Sequence, residues 1–278
     1  MTLRRYAELQ FGEVEIQTHY RISGAGRPLL LLHPSPLSSA FMVPTMECLG
    51  DLGTVCAPDT PGYGASDPLP QPGDGLQGYV DWLRCFMGHL GWTSAGLYGS
   101  ATGAQIAIEL ARAHPDLADF LVLDNAVHFT DTERADIMRD YFPDLTPTAD
   151  GAHFQQAWAM ADSLFRWFPW FDHSEAARVG AAEPPLALVN RVALAYLQAG
   201  PDYPRAYRAA FMNERAENLL AVPVPTRVIR WEGSLLKKYA DRLDAYAWPD
   251  HIRMLPCGPG PEARLAAIRE AVQALAAA

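Results

Sequence analysis

The sequence is poor in cysteine. Cys48, Cys56, Cys85 and Cys257 are scattered over 278 residues without CxxC spacing, so neither a disulfide framework nor a zinc site is expected. Cations are scarce as well: 22 Lys and Arg stand against 32 Asp and Glu, for a net charge of -10. That balance excludes a nucleic-acid binder, which needs clustered basic residues to neutralise phosphates. The pairs Arg4-Arg5 and Lys237-Lys238 read as solvated surface. No apolar run is long enough to cross a bilayer, and the opening "MTLRRYAELQFGEVEIQ" has no apolar signal core. Neither "HFQQAW" nor "FDHSE" has HExxH or other metal-ligand spacing. The expectation is a cytoplasmic enzyme or binding protein that needs no cofactor or metal. Its partner would be a small apolar molecule, with no nucleic acid or membrane involved and a homodimer possible.

What the sequence does contain is alternation. "EVEIQTHYRISG" alternates polar and apolar residues and ends at glycine, as an antiparallel strand would. "PLLLLHPSP", "TVCAPDTPGYG", "SAGLYGS" and "DFLVLDN" are short apolar runs stopped by loop residues, the pattern of buried parallel strands. Between them, "LQGYVDWLRCFMGHLG" and "ATGAQIAIELARAHP" have helical spacing. Strand and helix in turn imply βαβ units and an α/β fold with a mostly parallel sheet. From about 126 to 220 the strand signals stop, and the chain is helical and aromatic around "HFQQAWAMADSLFRWFPWFDH". Alternation resumes at "VPTRVIRWEG", followed by a helix near 235–247, the strand "HIRMLPC" and a closing helix. Residues 1–125 and 221–278 are therefore expected to form one core, with 126–220 as a helical cap inserted in it.

Three stretches carry a resemblance. "LLLLHPSPLSS" is similar to a strand followed by a His-Gly-type loop, "APDTPGYGASDP" to the loop after the next strand, and Gly99-Ser100-Ala101-Thr102-Gly103 to a G-x-nucleophile-x-G elbow. In this order and spacing they resemble the α/β-hydrolase superfamily, in particular its capped, haloalkane-dehalogenase-like members. The resemblance implies an α/β-hydrolase fold and an active site at the elbow. Its glycines would be needed because the nucleophile sits on a tight, strained turn. Ser100 is out of register, since Tyr98 would fill a small position. A register centred on Thr102, flanked by Ser100 and Ala104, remains open.

Ala101 thus stands where a nucleophile is expected, and a methyl group cannot attack a carbonyl. The usual acid aligns with Ser234, and the usual Gly-His pair is Gly258-Pro259. A similar subgroup has an elbow reading G-x-H-T-G. Ala101 is then either a replacement for histidine or serine or a native alanine. The resemblance offers another acid position at Asp124, beside Asn125, and His128 follows four residues later as a possible partner. An Asp124-His128 pair could move protons. Backbone N–H groups of Ser35 and Thr102 would form the oxyanion hole. Trp158, Trp167 and Trp170 in the cap, with His33 below the loop, are candidates for the pocket lining. His33 also reads as a structural residue. Trp158, Phe165, Phe168 and Phe171 crowd the same span, and His153, Asp172 and His173 are not assigned. The leading expectation is hydrolysis of an ester, lactone or related acyl bond in a small apolar or aromatic carbonyl compound. Two alternatives are a lyase, cyclase or isomerase and a ligand-binding protein without catalysis.

Overall fold

The computed structural model describes residues 1–277 apart from 71, 72, 74, 181 and 182. Its strands are β1 (Leu3–Phe11), β2 (Val14–Gly24), β3 (Pro28–Leu32), β4 (Thr54–Pro58), β5 (Ala95–Ser100), β6 (Ala118–Asp124), β7 (Thr226–Trp231) and β8 (Ile252–Cys257). They form one sheet in the order β1-β2-β4-β3-β5-β6-β7-β8. β1 and β2 are antiparallel to their neighbours, and the pairs from β4-β3 to β7-β8 are all parallel. This is an α/β-hydrolase architecture. β1 is a strand that the pattern of its residues did not announce.

The apolar runs sit where both faces of the sheet are covered. In β3, Leu30 and Leu32 pack into one core cluster while Leu29 and Leu31 pack into the other, because successive strand side chains point to opposite faces. The first cluster receives α2 (Gln77–His89) and α3 (Thr102–Ala113). The second receives α1 (Val43–Leu49) and α10 (Pro261–Ala276). All four helices present apolar residues at helical spacing to the sheet.

Between β6 and β7 lie α4 (Asp131–Asp140), α5 (Ala152–Leu164), α6 (Leu186–Ala199), α7 (Pro204–Asn213) and α8 (Ala216–Leu220). Thr130 opens α4 with a capping box: its hydroxyl accepts from the Glu133 N–H, and Glu133 accepts from the Thr130 N–H. The helix expected near 235–247 is one turn, α9 (Lys237–Ala240), continued as a tighter 3-10 turn over Asp241–Ala245. No helix among the described residues is long and apolar enough to cross a membrane.

The chain passes from β3 to β4 on one side, then returns to β5 on the other. Open parallel sheets leave a crevice at such a reversal, outside the carboxyl ends of the strands. The carboxyl ends of β3, β5, β6 and β7 deliver Ser35, Ala101, Asn125 and Ser234 to it.

Candidate active site

The crevice is built around a strained residue. Ala101 links β5 to α3 with φ 47° and ψ -111°, a conformation costly for a residue with a side chain. Its N–H donates to the Asp124 carbonyl at 2.9 Å, and its carbonyl accepts from Gln105 N–H at 3.1 Å. The flanking glycines are steric requirements: a Cβ on Gly99 would lie 2.5 Å from the Gly103 carbonyl oxygen, and one on Gly103 would lie 2.2 Å from that of Leu32. These contacts settle the register. The strained residue is Ala101, while Thr102 is already the first residue of α3, so the alternative register centred on Thr102 is set aside.

Two backbone donors flank this turn. As the first residue of α3, Thr102 has no intrahelical acceptor for its N–H. The Ser35 N–H makes no backbone hydrogen bond among the described residues.

Above Ala101 opens a cavity of about 470 Å³, walled largely by Leu164, Phe165, Phe168, Leu188, Val192 and Trp231. Ser35, Ser100, Asn125, Ser234, Tyr207 and Arg264 add polar groups to the wall, and no Asp, Glu or His is among its described residues. Three of these polar residues form a chain: the Ser234 hydroxyl donates to Asn125 Oδ1 at 2.5 Å, and Asn125 Nδ2 donates to Ser100 Oγ at 3.3 Å. Asn125 holds φ 55°, a left-handed conformation that asparagine tolerates better than most residues.

The expected Asp124-His128 pair is not formed. Asp124 is fully buried and binds Arg264, whose Nε donates to its Oδ2 at 2.6 Å. Tyr98 adds a second donor to Oδ2 at 3.0 Å, and Arg264 Nη2 in turn reaches the Tyr98 hydroxyl at 3.1 Å. Burial disfavours the Arg264 charge, but Tyr98 and Asp124 outweigh it and raise its pKa. His128 accepts from the Ala216 N–H at 3.1 Å and lies against Tyr246 with ring centroids 5.6 Å apart. Burial, set against the nearby Glu217, depresses its pKa. The loop after β6 turns it toward α8, so four residues of sequence separation do not bring the two side chains together.

Other expected lining residues also lie elsewhere. His33 is buried, with Nδ1 donating to the Pro34 carbonyl at 3.0 Å and Nε2 accepting from the Thr60 N–H at 2.8 Å. Those two bonds fix a neutral ring below the Pro34-Ser35 loop, and burial lowers its pKa further. Trp158 is 42% exposed, because the inward face of α5 is taken by Ala157, Met160, Ala161 and Leu164. Trp167 stacks on His173 at 4.4 Å, and the Trp170 indole donates to the Tyr141 carbonyl at 3.1 Å. The phenylalanines between these tryptophans, Phe165 and Phe168, line the cavity in their place.

Two residues escaped sequence reasoning. Arg264 lies on the closing helix, outside any motif, and is the only charged residue among the described residues of the large cavity's wall. Glu214 caps the carboxyl end of α7 and is 3% exposed. It lines a second cavity of about 40 Å³ that shares Ala101, Phe168, Tyr207 and Leu236 with the large one. Its Oε2 accepts from Gln105 Nε2 at 2.7 Å and from the Val127 N–H at 3.0 Å. Burial pushes its pKa well above the ordinary carboxylate value, against the Val127 hydrogen bond.

Comparison with known proteins agrees with this architecture. The chain is 32% identical over 114 residues to a haloalkane dehalogenase of Mycolicibacterium paratuberculosis, covering 40% of this chain and 38% of that protein. It is 29% identical over 172 residues to the (E)-2-((N-methylformamido)methylene)succinate hydrolase of Acinetobacter baylyi, covering 62% and 61%. The matches thus span between about a third and two thirds of these relatives' lengths. The crystal structure of a bromoperoxidase from Bacillus anthracis superposes with a TM-score of 0.73 at 15% identity, over 99% of this chain and 100% of that one. The family model for the alpha/beta hydrolase fold matches residues 27–221, and the chain belongs to that family.

Proposed function

We propose that the protein is a cofactor-independent hydrolase of a small, largely apolar carbonyl compound, an ester, lactone or related acyl bond. The observation that carries this reading is the strained turn at Ala101, with the Thr102 and Ser35 N–H groups beside it, under an apolar cavity of about 470 Å³. In this reading the two N–H groups are the oxyanion hole, fixed dipoles that stabilise negative charge on a carbonyl oxygen as it develops. The helices between β6 and β7 act as a cap, placing Phe165, Phe168, Leu188 and Val192 over the substrate. The methyl group at 101 provides no covalent step, so the acyl carbon is attacked directly by water. The relative from Acinetobacter baylyi, named as a hydrolase, supports the reaction class.

Arg264 contributes the charge in the cavity's described wall. Its Nε and Nη2 are engaged by Asp124 and Tyr98, which leaves Nη1 for a polar group of the substrate.

Steady-state hydrolysis of 4-nitrophenyl butyrate and dihydrocoumarin tests this reading, with Val192→Trp as a cavity block. Turnover by the wild type that falls at least tenfold in Val192→Trp is expected. No turnover of either compound, or turnover that survives the block, overturns the proposal.

A further inference from the structure

A direct attack by water needs a proton acceptor, and the large cavity has no carboxylate or imidazole among the described residues of its wall. The small cavity beside it does. Ala101, Thr102 and Glu214 share its lining, and its volume of about 40 Å³ exceeds the roughly 10–15 Å³ that a water molecule needs.

The surroundings of Glu214 are ordered rather than incidental. Gln105 lies one turn after Ala101, on the same face of α3. Its Nε2 donates to Glu214, and its Oε1 accepts from Asn213 Nδ2 at 2.9 Å. With the Val127 N–H, this network holds Oε2 with two donors. Oε1 accepts no hydrogen bond among the described residues, although Glu214 has only 3% exposure. Glu214 lines the adjoining cavity, and a water there would supply that oxygen with a donor. The Thr102 hydroxyl, which is buried and has no partner among the described residues, borders the same space.

We propose that Glu214 is the general base of this site, taking a proton from a water molecule in the small cavity as that water attacks the acyl carbon above Ala101. The inference rests on the acyl-hydrolysis reading. The water oxygen forms the new bond to carbon, the carbonyl π electrons move onto oxygen beside the Thr102 and Ser35 N–H groups, and Glu214 becomes the neutral acid. Collapse of the tetrahedral species breaks the bond to the leaving oxygen, which takes the proton from Glu214. Ester and water give acid and alcohol, and Glu214 returns to its starting state.

The charged and titratable groups around Glu214 do not neutralise it. Arg134 of α4 donates to its backbone carbonyl at 3.2 Å and pairs with Asp131. His128 and Arg215 engage the Ala216 N–H and Asp131, Glu109 of α3 accepts from Asn213, and Tyr207 bonds Tyr141. The carboxyl pKa is therefore raised by burial, and the ionised form is a stronger base than an exposed glutamate.

The test is the pH dependence of 4-nitrophenyl butyrate hydrolysis by the wild type and Glu214→Gln, with folding followed by circular dichroism. The expected wild-type kcat rises with pH through one ionisation above the ordinary carboxylate range. Glu214→Gln is expected to lower kcat by about a hundredfold or more and to abolish that limb. Glu214→Ala is expected to regain part of the loss when formate is added. Turnover in Glu214→Gln within threefold of the wild type overturns this inference alone. A flat wild-type profile does the same and does not depend on either variant folding. Absence of turnover in the wild type overturns the acyl-hydrolysis reading and this inference with it.

Discussion

Ala101 keeps a costly backbone conformation that carries only a methyl group. Introducing a hydroxyl there should achieve little. The described wall of the large cavity holds no Asp, Glu or His to deprotonate a serine. Ala101→Ser is expected to change the steady-state rate with 4-nitrophenyl butyrate by less than tenfold, measured beside the wild type. A much larger gain would mean that Glu214, across the small cavity, serves the new hydroxyl as well as water. The register of this turn could be read from sequence because its steric rule is local: Gly99 and Gly103 are each within two residues of the strain they relieve. Glu214 could not. Its burial depends on Gln105, 109 residues earlier, and on the loop at Val127, and no spacing rule joins such positions. The Asp124-His128 pair failed for the converse reason, since nearness in sequence across a loop says nothing about where side chains point.

The alternation of apolar runs and helical stretches made the sheet readable, with β3, β5 and β6 as short buried runs and α2 and α3 at helical spacing. The polar link that Arg264 makes between α10 and the sheet was not readable, because it rests on one side chain. Arg264 reaches from α10 to Asp124 at the end of β6 and to Tyr98 in β5. Removing one partner of a buried ion pair leaves an uncompensated charge. Arg264→Met is thus expected to cost about 3–5 kcal/mol in urea unfolding. Adding Asp124→Asn should return a large part of that loss, since the pair would be removed together. Equal stability of the single and double variants would show that Asp124 is satisfied without its arginine.

One apolar core runs from Leu30 and Leu32 of the sheet through α3 to Tyr141, Tyr196 and Tyr203 in the segment between β6 and β7. An ionisation buried within it is therefore felt by the whole fold. The carboxyl of Glu214 titrates higher in the folded chain than in the unfolded one. Below the unfolded value of about 4.3, both states hold the proton and the full stability is present. As pH rises, the unfolded chain ionises first, so stability declines until the folded carboxyl ionises as well. In calorimetric melts, Glu214→Gln is expected to flatten this decline and to melt above the wild type at alkaline pH. An unchanged slope would show that Glu214 is not the group responsible. The cavity also contains its own lamp. Trp231 is the only indole in its described wall, and the Arg264 guanidinium lies 5.1 Å from its ring centre. A guest entering the cavity would disturb that contact, so occupancy can be followed as a change in emission of the unlabelled protein that Trp231→Phe, which keeps the other six tryptophans, should lose.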